Sequence, residues 1–499
     1  MKPVKLLDAA FLHGETAATP MHVGALFLLD EIPARTRRSF FKRFRAMIGS
    51  RLGASEVFTR RLARLPLDLA NPMWVTTGAV DLDHHVRRSV LPRPGTLGQL
   101  ENRVARLHEP LLDRDRPLWE LHLIEGLAGG RAALYVKVHH AGLDGHSAQL
   151  FLQAFVDTAP RLPSAASGAP LPEADDHAPL RLLAAGASHQ LHELRELPGR
   201  LTAMASAAAR LLRARDTSTP ETPRTVLNEV ISGRRAFATT EIPLDDARSL
   251  ARRAQGTVND VVLAVTAGAL RRWLLQRGLL PGQPLFAGVP VSARAHGDTE
   301  HAIQVAFISV NLHTGVADPL ARLAAIHRSA DAAKSNADAS KSLIPDDVPS
   351  IGLPWLLGGL ARLVSHPDVA DRVPLPFNMI VSNVPGPPMP LYVAGARVTT
   401  YLPISIVYHG VGLNVSAFSY DGKLFVGVTS CTDLMPDPDL FARDMLDELA
   451  LLEAALEVPP PRRARKKTSA AGRRATPKAK AKAKTALRGR RGATSRRRG

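Results

Sequence analysis

The sequence predicts a mixed α/β protein built as two lobes and followed by a basic arm. Three observations carry this. The chain has 499 residues and is 45% hydrophobic, too long for one ordinary core and apolar enough for two. Short alternating runs are interleaved with runs of helical spacing in both halves. Composition changes abruptly after residue 158 and again near 458. These breaks predict an N-terminal lobe over 1–158, a crossover linker with surface helices over 159–225, a C-terminal lobe over 226–457 and a disordered Lys/Arg-rich tail over 458–499.

In the first lobe, "GALFLLD" (24–30) and "AALYVKVHH" (132–140) read as strands, and "TRRSFFKRFRAMIGSRL" (36–52) places its apolar residues on one face of a helix. The crossover opens with a Pro/Ser/Ala-rich linker and continues with helical spacing broken at Pro198. In the second lobe "AFATTEIPL" and "LFAGVPVSAR" read as strands. Thr257 followed by Asp260 predicts the N-terminal cap of a helix, "VNDVVLAVTAGALRRWLLQRG", that closes near Gly278. No internal repeat of fixed period is visible.

The net formal charge of +18 is concentrated at one end: residues 459–499 hold 17 Lys and Arg and no acid, leaving the preceding residues at +1. A basic arm of this composition cannot bury enough to order itself, and its partners are expected to be polyanions, an acidic lipid surface ahead of nucleic acid. The single cysteine, Cys431, excludes a disulfide framework within the chain and suits a reducing compartment. Asp8 and Glu15 interrupt the apolar stretch a secretory signal would need. The longest apolar candidate, "IGLPWLLGGLA" (351–361), ends at Arg362, short of the roughly 18–20 residues that span a bilayer. A cytoplasmic protein, peripheral at the inner membrane or on lipid inclusions, is expected.

The stretch with most chemistry is "HHAGLDG", residues 139–145. Strand alternation puts His140 at the end of a row with Leu134, Val136 and Val138, where burial favours the neutral imidazole that can accept a proton. His139 falls on the opposite face and is expected to hold the strand end by hydrogen bonding. Gly142 and Gly145 allow a sharp turn. Asp144 stands where it can either orient the imidazole or anchor the turn through an arginine, and spacing leaves both open. Zinc is disfavoured, because no Cys pair or HExxH motif accompanies the histidines. A serine triad is disfavoured for want of GxSxG. The pair His84-His85 has no following Asp-Gly and is assigned no chemistry.

Together with the rest of the chain, this HHxxxDG string resembles the bacterial wax ester synthase/diacylglycerol acyltransferase family of CoA-dependent acyltransferases. The resemblance extends to "LLDAAFLHGETAATPMHVGAL" (6–26), Pro117-Leu118-Trp119, Asn259-Asp260 in "GTVNDVVLAVTAGALR", "VPVSAR" (289–294) and "FNMIVSNVPGPPMPLYVAGARV" (377–398). It departs in the stretch after Arg294, which lacks an expected Gly-Asn, and in the basic tail, which is an addition.

The resemblance implies two chloramphenicol-acetyltransferase-like lobes, each a mixed sheet flanked by helices, with a tunnel between them. It implies acyl-CoA as donor substrate, no permanently bound cofactor and no metal. The acceptor is a fatty alcohol or diacylglycerol, with another alcohol or amine as the alternative acceptor, and a lipid-granule binding protein as the alternative function. His140 becomes the general base and His139 and Gly145 shape the site. Asn259 supports the developing charge or the base from the first turn of its helix. Asp144 becomes a structural partner of Arg294, and Asp260 supports the helix start. The apolar segment 344–367 is expected to lie on lipid, line the acceptor entrance or be buried.

Overall fold

A computed structural model describes residues 1–65, 68, 70–143, 145–160, 170–175, 222–292, 305–338 and 374–457, with a few isolated positions between them. Residues 1–457 form one compact unit. Among the described residues its α-helices are α1 (Leu6–Gly14), α2 (Ala34–Arg51), the single turns α3 (Glu56–Thr59) and α4 (Leu82–His85), α5 (Leu97–His108), α6 (Gly145–Phe155), α7 (Leu244–Arg253), α8 (Val258–Gln276), α9 (Pro319–Asp338) and α10 (Pro438–Glu457).

Two six-stranded sheets carry the lobes. In chain order the first sheet holds β2 (His22–Leu29), β5 (Val86–Val90), β6 (Trp119–Glu125), β7 (Ala132–His139), β12 (Tyr392–Val393) and β13 (Ala396–Ile404); in space they run β12-β13-β2-β7-β6-β5. The second holds β8 (Arg235–Pro243), β9 (Phe286–Ser292), β10 (Val305–Asn311), β11 (Met379–Val384), β14 (Leu413–Tyr420) and β15 (Lys423–Cys431), in the spatial order β10-β9-β11-β14-β15-β8. β1 (Lys2–Pro3), β3 (Arg60–Ala63) and β4 (Met73–Thr76) make a small third sheet.

The strands and helices expected within the two lobes form within a residue or two of their sequence positions, for physical reasons visible in them. β7 is buried along its whole length, as a central strand covered on both faces should be. α2 buries Phe40, Phe44, Met47 and Ile48 along one stripe. α8 is buried through most of its length, which its near-continuous apolar sequence anticipates. Its capping box is complete: Thr257 Oγ1 accepts from Asp260 N–H while Asp260 Oδ2 accepts from Thr257 N–H at 2.8 Å.

A feature the linear division does not contain is the insertion of β12 and β13 into the first sheet. β13, from the C-terminal half, pairs antiparallel with β2, Ile404 facing Gly24 and Val398 facing Leu29. Tyr401 packs against Phe27 at 4.3 Å and against Phe418 at 4.1 Å, so residues from both halves of the chain share the first apolar core. Polar contacts reinforce this seam: Thr239 Oγ1 donates to Glu101 Oε1 (2.7 Å), Arg235 N–H to Glu109 Oε1 (3.0 Å), and Arg235 Nη2 to Ala18 O (2.7 Å). The crossover helices, the tail and all but isolated positions of 344–367 lie outside the described residues.

Candidate active site

The two histidines sit where β7 stops. β2 and β7 pair with His22 opposite His139, so the turn before β2 is brought against the end of β7. The strand ends at His139, and His140 begins a one-turn 3-10 helix, His140–Gly142. Strand alternation therefore does not fix the direction of His140, and the row it was expected to extend stops at Val138. His140 is placed instead by its backbone N–H, which donates to Met21 O at 2.9 Å, and by Phe11 of α1, whose ring stacks on it with centroids 4.0 Å apart.

His139 is fully buried. Its Nδ1 accepts the N–H of Ala141 at 3.1 Å, so it clasps the turn that carries His140. On the same face of β7, Tyr135 and Lys137 enter a polar seam beneath α5. His108 Nδ1 meets the Tyr135 hydroxyl at 2.7 Å, His22 Nε2 donates to His108 O at 2.5 Å, and Lys137 Nζ donates to the carbonyls of Leu107 and Pro110. Burial lowers the Lys137 ammonium to about 8.

Burial, reinforced by the neighbouring His139, lowers the His140 pKa to about 4. Its imidazole is neutral at physiological pH and able to take a proton. From the other side, Arg60 Nη2 donates to Gly142 O at 2.6 Å while its guanidinium lies 4.8 Å from the Trp74 ring. Gly145 opens α6. Asp144 and Arg294 lie outside the described residues, and with them their expected pairing.

Asn259 occupies the first turn of α8, half-buried. Asp260, beside it, is fully buried and committed to holding the helix start: besides Thr257 N–H, its Oδ2 accepts from Thr257 Oγ1 (2.9 Å) and lies 2.9 Å from His327 Nδ1. Among the described residues no hydrogen bond or ion pair joins Asn259 to His140. Trp119 packs in the core, its indole N–H donating to Phe58 O at 3.2 Å. His85 stacks on Trp119 at 4.3 Å and bonds its carbonyl, a packing role.

Residues that motif reading missed surround the pair. Glu15 and Phe11 come from α1 and its end, Arg114 from the loop before β6, and Arg60 from β3. Phe11 and Glu15 meet the histidines directly, Arg114 acts through Glu15 and Arg60 through Gly142 O, all across long stretches of chain, so no local spacing announces them. No group of three or more His, Cys, Asp or Glu is placed to hold a metal ion among the described residues.

Comparison with known proteins gives this arrangement its context. The profile of the wax ester synthase/diacylglycerol acyltransferase catalytic domain matches residues 4–262, and that of the WS/DGAT C-terminal domain matches 304–453. A putative diacylglycerol O-acyltransferase of Mycobacterium tuberculosis is 37% identical over 462 residues, covering 90% of this chain and 99% of that protein. A probable diacylglycerol O-acyltransferase of the same organism is 34% identical over 460 residues, covering 90% and 98%. The solved wax ester synthase/diacylglycerol acyltransferase from Marinobacter aquaeolei VT8 superposes with a TM-score of 0.66 at 30% identity, covering 92% of this chain and 100% of that one. The starter condensation domain of rhizomide synthetase shares the fold at a TM-score of 0.52 and 13% identity, covering 92% and 94%. By profile, sequence and fold, the chain belongs to the wax ester synthase/diacylglycerol acyltransferase family of acyltransferases.

Proposed function

We propose that this protein transfers a long-chain fatty acyl group from acyl-CoA to the hydroxyl of a fatty alcohol or diacylglycerol, forming wax ester or triacylglycerol, with His140 as general base. The observation that carries the role of His140 is its state: a neutral imidazole at the end of a buried strand, on a turn held by Met21, His139 and Arg60. His140 takes the acceptor's proton as its oxygen attacks the thioester carbonyl. The tetrahedral intermediate collapses with cleavage of the C–S bond, and the same imidazole returns the proton to the departing thiolate. The thioester is already activated, so no acyl-enzyme is required. Asn259, in the first turn of α8, supports the developing negative charge or the base. Asp144 pairs with Arg294, a partner that a carboxylate would require if taken out of water.

The acceptors are apolar, and the protein meets them at a lipid surface. No described helix is long and apolar enough to cross a membrane. α2 has basic residues and no acidic ones; its solvent face presents Arg35, Arg38 and Lys42, spaced to form one stripe. Its apolar face is already used on the core, so attachment there is electrostatic. The Lys/Arg-rich tail adds to it, with nucleic acid as the competing polyanion.

The test is ester synthesis by the purified chain from labelled palmitoyl-CoA with hexadecanol or dipalmitoylglycerol, following released thiol and neutral lipid. Wild type is expected to form ester and His140→Ala to lose roughly 100-fold or more of it, the lower range of acid–base contributions. No ester with either acceptor would defeat the substrate assignment. Undiminished turnover by His140→Ala would defeat the role of His140.

A further inference from the structure

Glu15 closes α1, and its side chain is 1% exposed. The roles proposed above do not use it, yet the fold partners both of its oxygens. Oε1 accepts from Met21 N–H at 3.0 Å. Oε2 accepts from Arg114 Nε at 3.2 Å and Nη2 at 2.8 Å. Arg114 Nη2 also donates to Leu12 O at 2.5 Å, tying the last turn of α1 to the same guanidinium. Burial alone would raise the Glu15 carboxyl, but His139, Met21 N–H and Arg114 outweigh it and hold it at about 2. The residue is an anion at working pH.

Its remaining neighbour is His139, whose Nε2 lies 3.3 Å from Oε1, an ion-pair distance without hydrogen-bond alignment. On the far side of that ring, Nδ1 accepts Ala141 N–H and therefore carries no proton. The proton belongs on Nε2, beside the carboxylate. The opposite tautomer would set N–H against N–H at Ala141 and turn a lone pair toward an anion. Only one arrangement satisfies both sides, and it locks the turn in which His140 is the first residue. α1 also supplies Phe11 against the His140 ring, so one helix and its terminal residue brace both histidines.

We infer that Glu15, clamped by Arg114, is a positioning residue for acyl transfer, fixing the His139 tautomer that holds the turn carrying His140. This rests on the reading of His140 as base, and the test separates the two. The full chain labelled with 15N-histidine reports imidazole tautomers directly, His139 being assigned by its absence in His139→Gln. Wild type is expected to show Nε2 protonated and Nδ1 bare. In Glu15→Gln the tautomers mix, and kcat falls roughly 10- to 100-fold, part of what acid–base catalysis supplies, with KM for acyl-CoA unchanged. Arg114→Lys moves both readouts in the same direction by less and serves if Glu15→Gln does not fold. A wild-type His139 protonated on Nδ1 overturns the inference whatever the activity. So does a Glu15→Gln enzyme with wild-type kcat, or one whose loss of turnover only follows a fall in melting temperature. A wild type that makes no ester defeats the proposed substrate while leaving the tautomer measurement to decide the role of Glu15.

Discussion

Phe11 bears on the pH behaviour of His140. Burial and the neighbouring His139 lower the imidazole pKa from 6.5 to about 4, and the stacked Phe11 ring covers one face of it. The base-competent neutral form therefore persists down to about 4, and the acid limb of kcat/KM should be centred there and not near 6.5. Phe11→Ala opens one face of the ring and should move the limb upward toward 6.5. A pH series from about 4 to about 8, the range over which histidine charge is set, checks this, with circular dichroism confirming that the protein stays folded at each point. An acid limb that does not move would assign the drying of the ring to other neighbours. Stability follows the same sign. For His140 the folded pKa lies below the ordinary value, so the contribution is present above 6.5 and is lost as pH falls toward about 4. For Glu15 it is present above 4.5 and lost as pH falls toward about 2. Both weaken the fold in acid, so urea midpoints should decline from pH 7 downward, and Glu15→Gln should flatten the part of the decline below 4.5.

Helix α8 shows where an element obeys tertiary contacts over its own propensity. Gly268 lies in its interior, where alanine would be preferred by about 1 kcal/mol. A Cβ there would run into the carboxyl group of Glu448 from α10, which forms a buried ion pair with Arg322 of α9. Breaking such a pair costs about 3–5 kcal/mol, so the clash outweighs the gain. Gly268→Ala should destabilise by about 2 kcal/mol or more on that balance, measured by urea unfolding; a stabilised variant would mean that Glu448 moves aside freely. The boundaries of α8 were readable because Thr257, Asp260 and Gly278 act through bonds and backbone angles within a few residues. The central strand β7 was readable from its short apolar run, interrupted only by Lys137 before the histidines. The entry of β13 into the first sheet was not, because its sequence fits either sheet and its partner β2 lies far away in the chain. The site divides in the same way. His139 and His140 announce themselves by adjacency, whereas Phe11 and Glu15, with Arg114 behind Glu15 and Arg60 on Gly142 O, come to the turn only once α1, β3 and the loop before β6 have folded around β7. Strand alternation does not place His140, because the strand ends at His139, one residue earlier than the sequence suggests.

At the scale of the whole molecule, charge and catalysis are separable along the chain. Residues 1–457 form one compact unit and hold every side chain invoked at the site, while 17 Lys and Arg fall in residues 459–499 out of a net formal charge of +18. A chain ending at Glu457 should therefore keep its turnover of dispersed palmitoyl-CoA and acceptor. It should lose most of its binding to vesicles containing phosphatidylglycerol, because each Lys or Arg near an anionic surface contributes about 1 kcal/mol and the 47 Lys and Arg that remain (64 less 17) are balanced by 46 Asp and Glu. The attraction that survives would come from Arg35, Arg38 and Lys42 on α2, and the triple change of these to Gln in the shortened chain should remove it. Co-sedimentation across a salt series checks both steps. The full chain's binding should fall steeply as salt rises and the screening length contracts to about 8 Å at physiological strength. If the shortened chain binds vesicles as well as the full one, attachment belongs to the compact unit, and the tail is left to the competing polyanion. If turnover falls with the tail even on dispersed substrate, the tail takes part in binding acyl-CoA, whose phosphates offer it the same charge complement as a lipid headgroup.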